Sequence, residues 1–140
     1  MSILPSGLPE QIDDSEDLSR FLTSSNDFVP TKGIVKPKVF MPRNLETSVF
    51  RHGTTPAESL WQIASVEIPP ERTVHGAGIV NAEVVRKAEL EVIADENPPN
   101  GPRHANIVGW PEIPNDPEEQ KSIWMDRANV ISRETTLILR

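Results

Sequence analysis

Apolar positions recur along this chain in short runs whose spacing changes from one stretch to the next. "LETSVFR" (45–51) puts Leu45, Thr47 and Val49 on one side and Phe50 on the other, a period of two that predicts a strand. "ELEVIAD" (89–95) sets Leu90, Val92 and Ala94 against Glu89, Glu91 and Ile93, a strand with one buried face. "HANIVGW" (104–110) is a further short strand, stopped by Pro111 and Pro114. The terminal "RETTLILR" (133–140), apolar and β-branched, is another. "RTVHGAGIV" (72–80) is glycine-bearing and reads as extended.

Helical spacing appears between these runs. "TPAESLWQIA" (55–64) has Thr55 at the N-cap, Pro56 at the first helical position and Glu58 two residues on, a capping box. Ala57, Leu60, Trp61 and Ala64 form its apolar face, and Pro69-Pro70 ends it. "NDPEEQKSIWMDRANVI" (115–131) repeats the device with Asp116, Pro117, Glu118 and Glu119, and carries a stripe of Ile123, Trp124, Ala128 and Ile131. "NAEVVRKA" (81–88) is a brief helix capped by Asn81. "SEDLSRFL" (15–22) predicts another, with Ser15 as cap and Leu18, Phe21 and Leu22 at helical spacing, although "RFLTSS" also suits the opening of a strand. "NDFVPTKGIVKPKVFMP" (26–42) alternates but is broken by three prolines, and reads as extended, edge-like chain. About four strands and three or four short helices in irregular alternation predict an α+β fold. The expected architecture is a small, mostly antiparallel sheet with the helices packed on one face.

Composition adjusts this picture in three ways. A length of 140 residues fits one domain, and 14 prolines make it loop-rich, because proline is excluded from helix interiors and central strands. Residues 1–14, with two prolines and "DD", read as a flexible acidic arm, leaving 15–140 as a single domain. The chain contains no cysteine, which removes disulfides, thiolate metal sites and cysteine nucleophiles, and suits a reducing cytoplasm. The opening "MSILPSGLPEQIDDSEDL" has no basic and apolar regions of a secretory signal, and no apolar run reaches membrane-spanning length. A formal charge of −7 works against sequence-independent DNA binding, which needs a basic face.

Candidate chemistry centres on the three histidines, each close behind an arginine: Arg51-His52, Arg72 with His75, and Arg103-His104. Arginine forks onto phosphates and histidine exchanges protons near neutrality, so these six residues form a candidate anion-binding set if they converge. No catalytic residue can be chosen from spacing alone. A metal site is not expected: spacings of 23 and 29 residues match no local motif, and flanking arginines oppose a dication. No cofactor motif is present. Trp110, between Gly109 and Pro111, is read first as a plug of the core and second as a partner-binding side chain.

The run from "SVFR" (48–51) through "RTVHGAG" (72–78) to "RHANIVGWP" (103–111) resembles a family of small bacterial proteins, without established activity, that carry an R-H-A-N-I-x-G-W-P block. The resemblance implies a bacterial source and no mechanism. "FRHGTT" followed by a helix and "RTVHG" is also similar to the Arg–His elements of RNA 2′-phosphotransferases and ADP-ribosyltransferase-like folds, whose remaining motifs are missing here. Two functional expectations follow. The first is a cytoplasmic, non-catalytic accessory protein that binds a protein partner within a bacterial multi-protein system, such as a defence system. The second is a small metal-independent domain that binds or acts on a nucleotide or RNA through the Arg/His pairs.

Overall fold

The computed structural model describes residues 2–53 and 59–140. Six strands form one antiparallel sheet in the order β6-β7-β4-β1-β5-β8. In chain order they are β1 (Asp17–Leu22), β4 (Thr47–Gly53), β5 (Gly76–Asn81), β6 (Glu91–Ala94), β7 (His104–Val108) and β8 (Thr136–Leu139). Strands β2 (Phe28–Val29) and β3 (Ile34–Val35) pair with each other in a separate two-stranded ribbon. The helices are α1 (Leu60–Glu67), α2 (Ala82–Lys87) and α3 (Pro117–Arg133), with three short 3-10 turns at 25–27, 30–32 and 37–40.

The α+β class with an antiparallel sheet stands. The helices divide between the faces: α2 and α3 cover one side with Ala82, Val84, Val85, Ala128 and Ile131, which pack with Leu18, Leu22, Val49, Val80 and Ile107 of the sheet. Helix α1 lies on the other side, where Leu60, Ile63 and Ala64 meet Phe21, Phe50 and Ala77.

Residues 15–22 are the clearest correction. They form no helix; Asp17–Leu22 is a central strand hydrogen-bonded to β4 on one side and β5 on the other. Its alternate positions Leu18 and Leu22 enter the α2/α3 core while Phe21 enters the α1 core, so both faces are buried. A strand buried on two sides loses the polar–apolar alternation that marks a half-exposed strand, and its run then imitates a helix. The stretch 26–42, expected to be extended and edge-like, is strand only at Phe28–Val29 and Ile34–Val35; 3-10 turns take up much of the rest, and two of its prolines, Pro30 and Pro37, open such turns.

The caps of two helices follow the sequence. Asn81 Oδ1 accepts the Val84 N–H at 3.2 Å, and Asp116 Oδ1 accepts the Glu119 N–H at 3.0 Å. The capping box of Thr55, Pro56 and Glu58 lies outside the described residues; the helix that it precedes is present. The N-terminal arm lies against the sheet: Ile12 is buried in the α2/α3 core, and the Ile12 carbonyl and Asp14 carboxylate both accept from the Arg86 guanidinium.

Candidate functional site

Strand periodicity decides the fate of the first Arg–His pair. Neighbours on a strand point to opposite faces, so Arg51 and His52 part company on β4. Arg51 turns to the α2/α3 side, where it is fully buried. Its Nε and Nη2 donate to the two Glu16 carboxylate oxygens at 2.8 Å each, and its Nη1 donates to the Pro9 carbonyl at 2.7 Å. A bidentate carboxylate consumes the charge that an anion would need, so Arg51 ties the arm to the sheet. His52 turns to the α1 side and is also buried. Burial pushes its pKa down, and the nearby Arg103 adds to this against the opposing pull of Asp17 and Glu16.

The β4–β7 pairing brings the third pair alongside the first. The Arg51 N–H donates to the Arg103 carbonyl at 2.8 Å, and Arg103 Nη1 donates back to the carbonyls of Arg51 and His52 at 3.0 and 3.2 Å. His104 shares the face of His52 and stands directly across from Phe50, whose ring it meets edge-on at 5.7 Å. Its Nδ1 lies 3.1 Å from the Asp95 backbone carbonyl and its Nε2 3.1 Å from Ser48 Oγ. The carbonyl can only accept, so Nδ1 carries a proton, and in the neutral ring Nε2 accepts from the Ser48 hydroxyl. Asn106, across from Ser48, donates its Nδ2 to Asp95 Oδ2 at 3.1 Å. Ser48, Asp95, His104 and Asn106 therefore form one polar network beside His52. Sequence reasoning missed Ser48, Asp95 and Asn106; period two does put Ser48 with His52 and His104 with Asn106, but nothing local says that β4 and β7 pair.

The second pair lies elsewhere. His52 sits at the Asp17 end of β1 and His75 just beyond the Leu22 end, since Asp17 faces Gly53 and Leu22 faces Gly76. Five residues of strand separate them by roughly 17 Å. The His75 ring lies against Phe28, with centroids 6.5 Å apart, and Arg72 is exposed on the loop before it. Of the six proposed residues, the fold gathers the backbone of two pairs and the side chains of His52, Arg103 and His104, but not Arg51, Arg72 or His75. Trp110 is a core residue: its ring packs edge-on to Trp124 at 6.3 Å, and its Nε1 donates to the Ile107 carbonyl at 3.1 Å.

The turn at Gly101–Arg103 forms one wall of a cleft of about 380 Å³ whose other wall is α1, through Ser59, Gln62, Ile63, Val66 and Glu67. The Glu67 carboxylate accepts the Arg103 N–H at 3.1 Å. A Cβ on residue 101 would stand 1.8 Å from Glu67 Oε2, so any other residue there would make the Glu67 carboxylate turn aside. The cleft is largely apolar; at its rim the Glu67 carboxylate holds the Arg103 backbone N–H, while the Arg103 guanidinium donates to the carbonyls of Arg51 and His52. Among the described residues, no three His, Asp or Glu side chains gather as a metal site.

The two edges of the sheet are treated differently. In β6 the Val92 N–H points away from β7, and the Glu91 carboxylate accepts it at 2.8 Å while also holding Arg86 Nε at 2.8 Å. Charge therefore guards this edge. In β8, the Arg140 N–H bonds to the His75 carbonyl, so Thr136, Ile138 and Arg140 face β5 and the backbone groups of Leu137 and Leu139 face outward. Leu139 is 52% exposed, Ile34 of the adjacent β3 is 43% exposed, and no charged side chain lies within β8 itself. Among the described residues nothing pairs beyond β8. Among the described residues no helix is long and apolar enough to cross a membrane. Comparison with protein-family models, curated proteins and solved structures found no match to this chain.

Proposed function

We propose that this chain is a non-catalytic interaction protein, a cytoplasmic accessory of a bacterial multi-protein system, that recruits its partner by adding a strand to β8. The observation that carries the reading is the contrast between the edges. A free row of N–H and C=O groups is a ready template for pairing, and folded chains normally blunt it with charge, proline or a bulge. Edge β6 is blunted by Glu91 and Arg86, whereas "TLIL" at β8 carries none of these devices. The arginine placement supports the same reading, because Arg51 is consumed by Glu16 and Arg103 by backbone carbonyls.

The test is capture from a bacterial lysate with the wild-type chain and with Leu139→Pro. Proline at 139 deletes an N–H that the sheet does not use, so the fold should remain while the edge is blocked. A protein held by the wild type and lost by the variant supports the reading. Equal capture by both, or capture by neither, overturns it.

A second reading rests on the network around His104. The Ser48 hydroxyl is bonded to Nε2 of a histidine whose tautomer the Asp95 carbonyl fixes, and Arg103 stands beside it at the rim of the cleft. A nucleotide or short RNA seated there would shift the His52 and His104 ring resonances together while leaving His75 unmoved. A titration that moves none of the three rings dismisses this reading.

A further inference from the structure

We propose that Arg20, Arg43 and Arg72 form a site for the phosphate group of a small free ligand, inorganic phosphate or a phosphomonoester, at the end of the sheet away from His52. The topology brings these arginines together. Strand β1 lies between β4 and β5 and is antiparallel to both, so its Leu22 end sits between the starts of its two neighbours. Arg20 stands near that end of β1. Arg43 lies just before β4, where its N–H donates to the Glu46 carbonyl at 2.8 Å. Arg72 lies just before β5, where its N–H donates to the Pro69 carbonyl at 3.0 Å. The Arg20 guanidinium is held in place: Nε donates to the Val39 carbonyl at 3.1 Å and Nη1 to the Ser48 carbonyl at 3.0 Å. Both acceptors are neutral, so they orient the group without cancelling its charge, and Nη2 has no partner among the described residues.

No carboxylate neutralises the three. Among the described residues none of them forms a salt bridge, whereas Arg51, Arg86 and Arg127 each do. Asp27, the carboxylate that acts on Arg20, is itself paired with Lys38 at 3.8 Å. Glu46 and Glu71, close to Arg43 and Arg72 in the chain, are exposed and bridge to neither. Burial lowers the Arg20 pKa, Asp27 counters this, and the Arg43 and Arg72 guanidiniums lower it further, so the three cations repel one another across one neighbourhood. An anion set between them relieves that repulsion. A carboxylate brings one charge and two oxygens, which a single arginine fork satisfies. A phosphate brings roughly two charges and oxygens on several sides, which several forks share. A nucleic acid would need a broad basic surface, which a net charge of −7 opposes, so the ligand is small. The site is separate from the His104 network, and neither depends on the other.

The test is a titration of the full chain with inorganic phosphate, and separately with phenyl phosphate, followed by the arginine side-chain NMR resonances. The Arg20, Arg43 and Arg72 signals are expected to shift together and to saturate, while those of the salt-bridged Arg86 and Arg127 stay in place. Raising the salt concentration should weaken the binding, because Arg43 and Arg72 are exposed. The same exposure lets Arg43→Gln with Arg72→Gln leave the fold intact, checked by an unchanged far-ultraviolet circular dichroism spectrum. In that double variant the Arg20 signal should need at least tenfold more phosphate to shift. Saturation by both probes names the phosphate group itself as the ligand, and saturation by phenyl phosphate alone names a monoester. A wild type whose three signals do not saturate with either probe overturns the proposal. So does a double variant that binds equally well, or a shift of equal size at Arg86 and Arg127.

Discussion

At the scale of single residues, the most consequential side chain is Arg51, a guanidinium that nothing in "SVFRHG" marks as interior. It is buried because Glu16, 35 positions earlier, supplies both carboxylate oxygens and also accepts the Gly53 N–H at 3.2 Å. Removing one partner of a buried pair leaves the other charged and unsatisfied, so Glu16→Ala should cost about 3–5 kcal/mol. Replacing both, as Glu16→Leu with Arg51→Met, should cost far less, and chemical denaturation of the three variants measures the difference. His52 gives the chain a pH dependence of known sign. Its pKa is lowered in the folded state, so the unfolded chain binds more protons, and the fold loses stability as pH falls below the ordinary histidine value of about 6.5. The loss stops growing below the lowered folded pKa. His52→Gln should flatten this part of the pH–stability curve, read by thermal melts between pH 5 and pH 8.

At the scale of elements, legibility followed exposure. The strand with one wet face, β6, and the helices with their own caps, α2 and α3, were readable because local pattern and tertiary environment agree. β4, buried on both faces, was readable from the alternation of Leu45, Thr47 and Val49 with polar neighbours. β1 was not, because burial on both faces erased its alternation, and its acidic start imitated a helix N-terminus. The joining of two Arg–His pairs at β4 and β7 was equally hidden, since strand pairing between residues 51 and 103 has no local signature. So was the separation of Arg51 from His52, although period two already contained it. The pairing of β5 with β8 depends on a residue without a side chain: a Cβ at Gly76 would lie 2.8 Å from the Ile138 carbonyl, which is backbone and cannot turn aside. Gly76→Ala should push β8 outward and cost about 1–3 kcal/mol, with faster exchange of the Arg140 amide as the local sign.

At the scale of the whole molecule, an antiparallel sheet covered by helices on both faces leaves its two edges as the places where it can grow. One edge is closed by Glu91 and Arg86, and the other ends in an apolar strand with outward-facing amides at Leu137 and Leu139. The formal charge of −7 lies outside β8, which carries no charged side chain of its own. The decisive measurement is residue-resolved amide hydrogen exchange in the free chain and in the complex with the captured partner. If the β8 edge is where the partner adds its strand, the Leu137 and Leu139 amides exchange quickly in the free chain and become protected in the complex, while Val92 and Ala94 on β6 do not change. Protection of Leu137 and Leu139 that is already complete in the free chain, or that never develops in the complex, would contradict it.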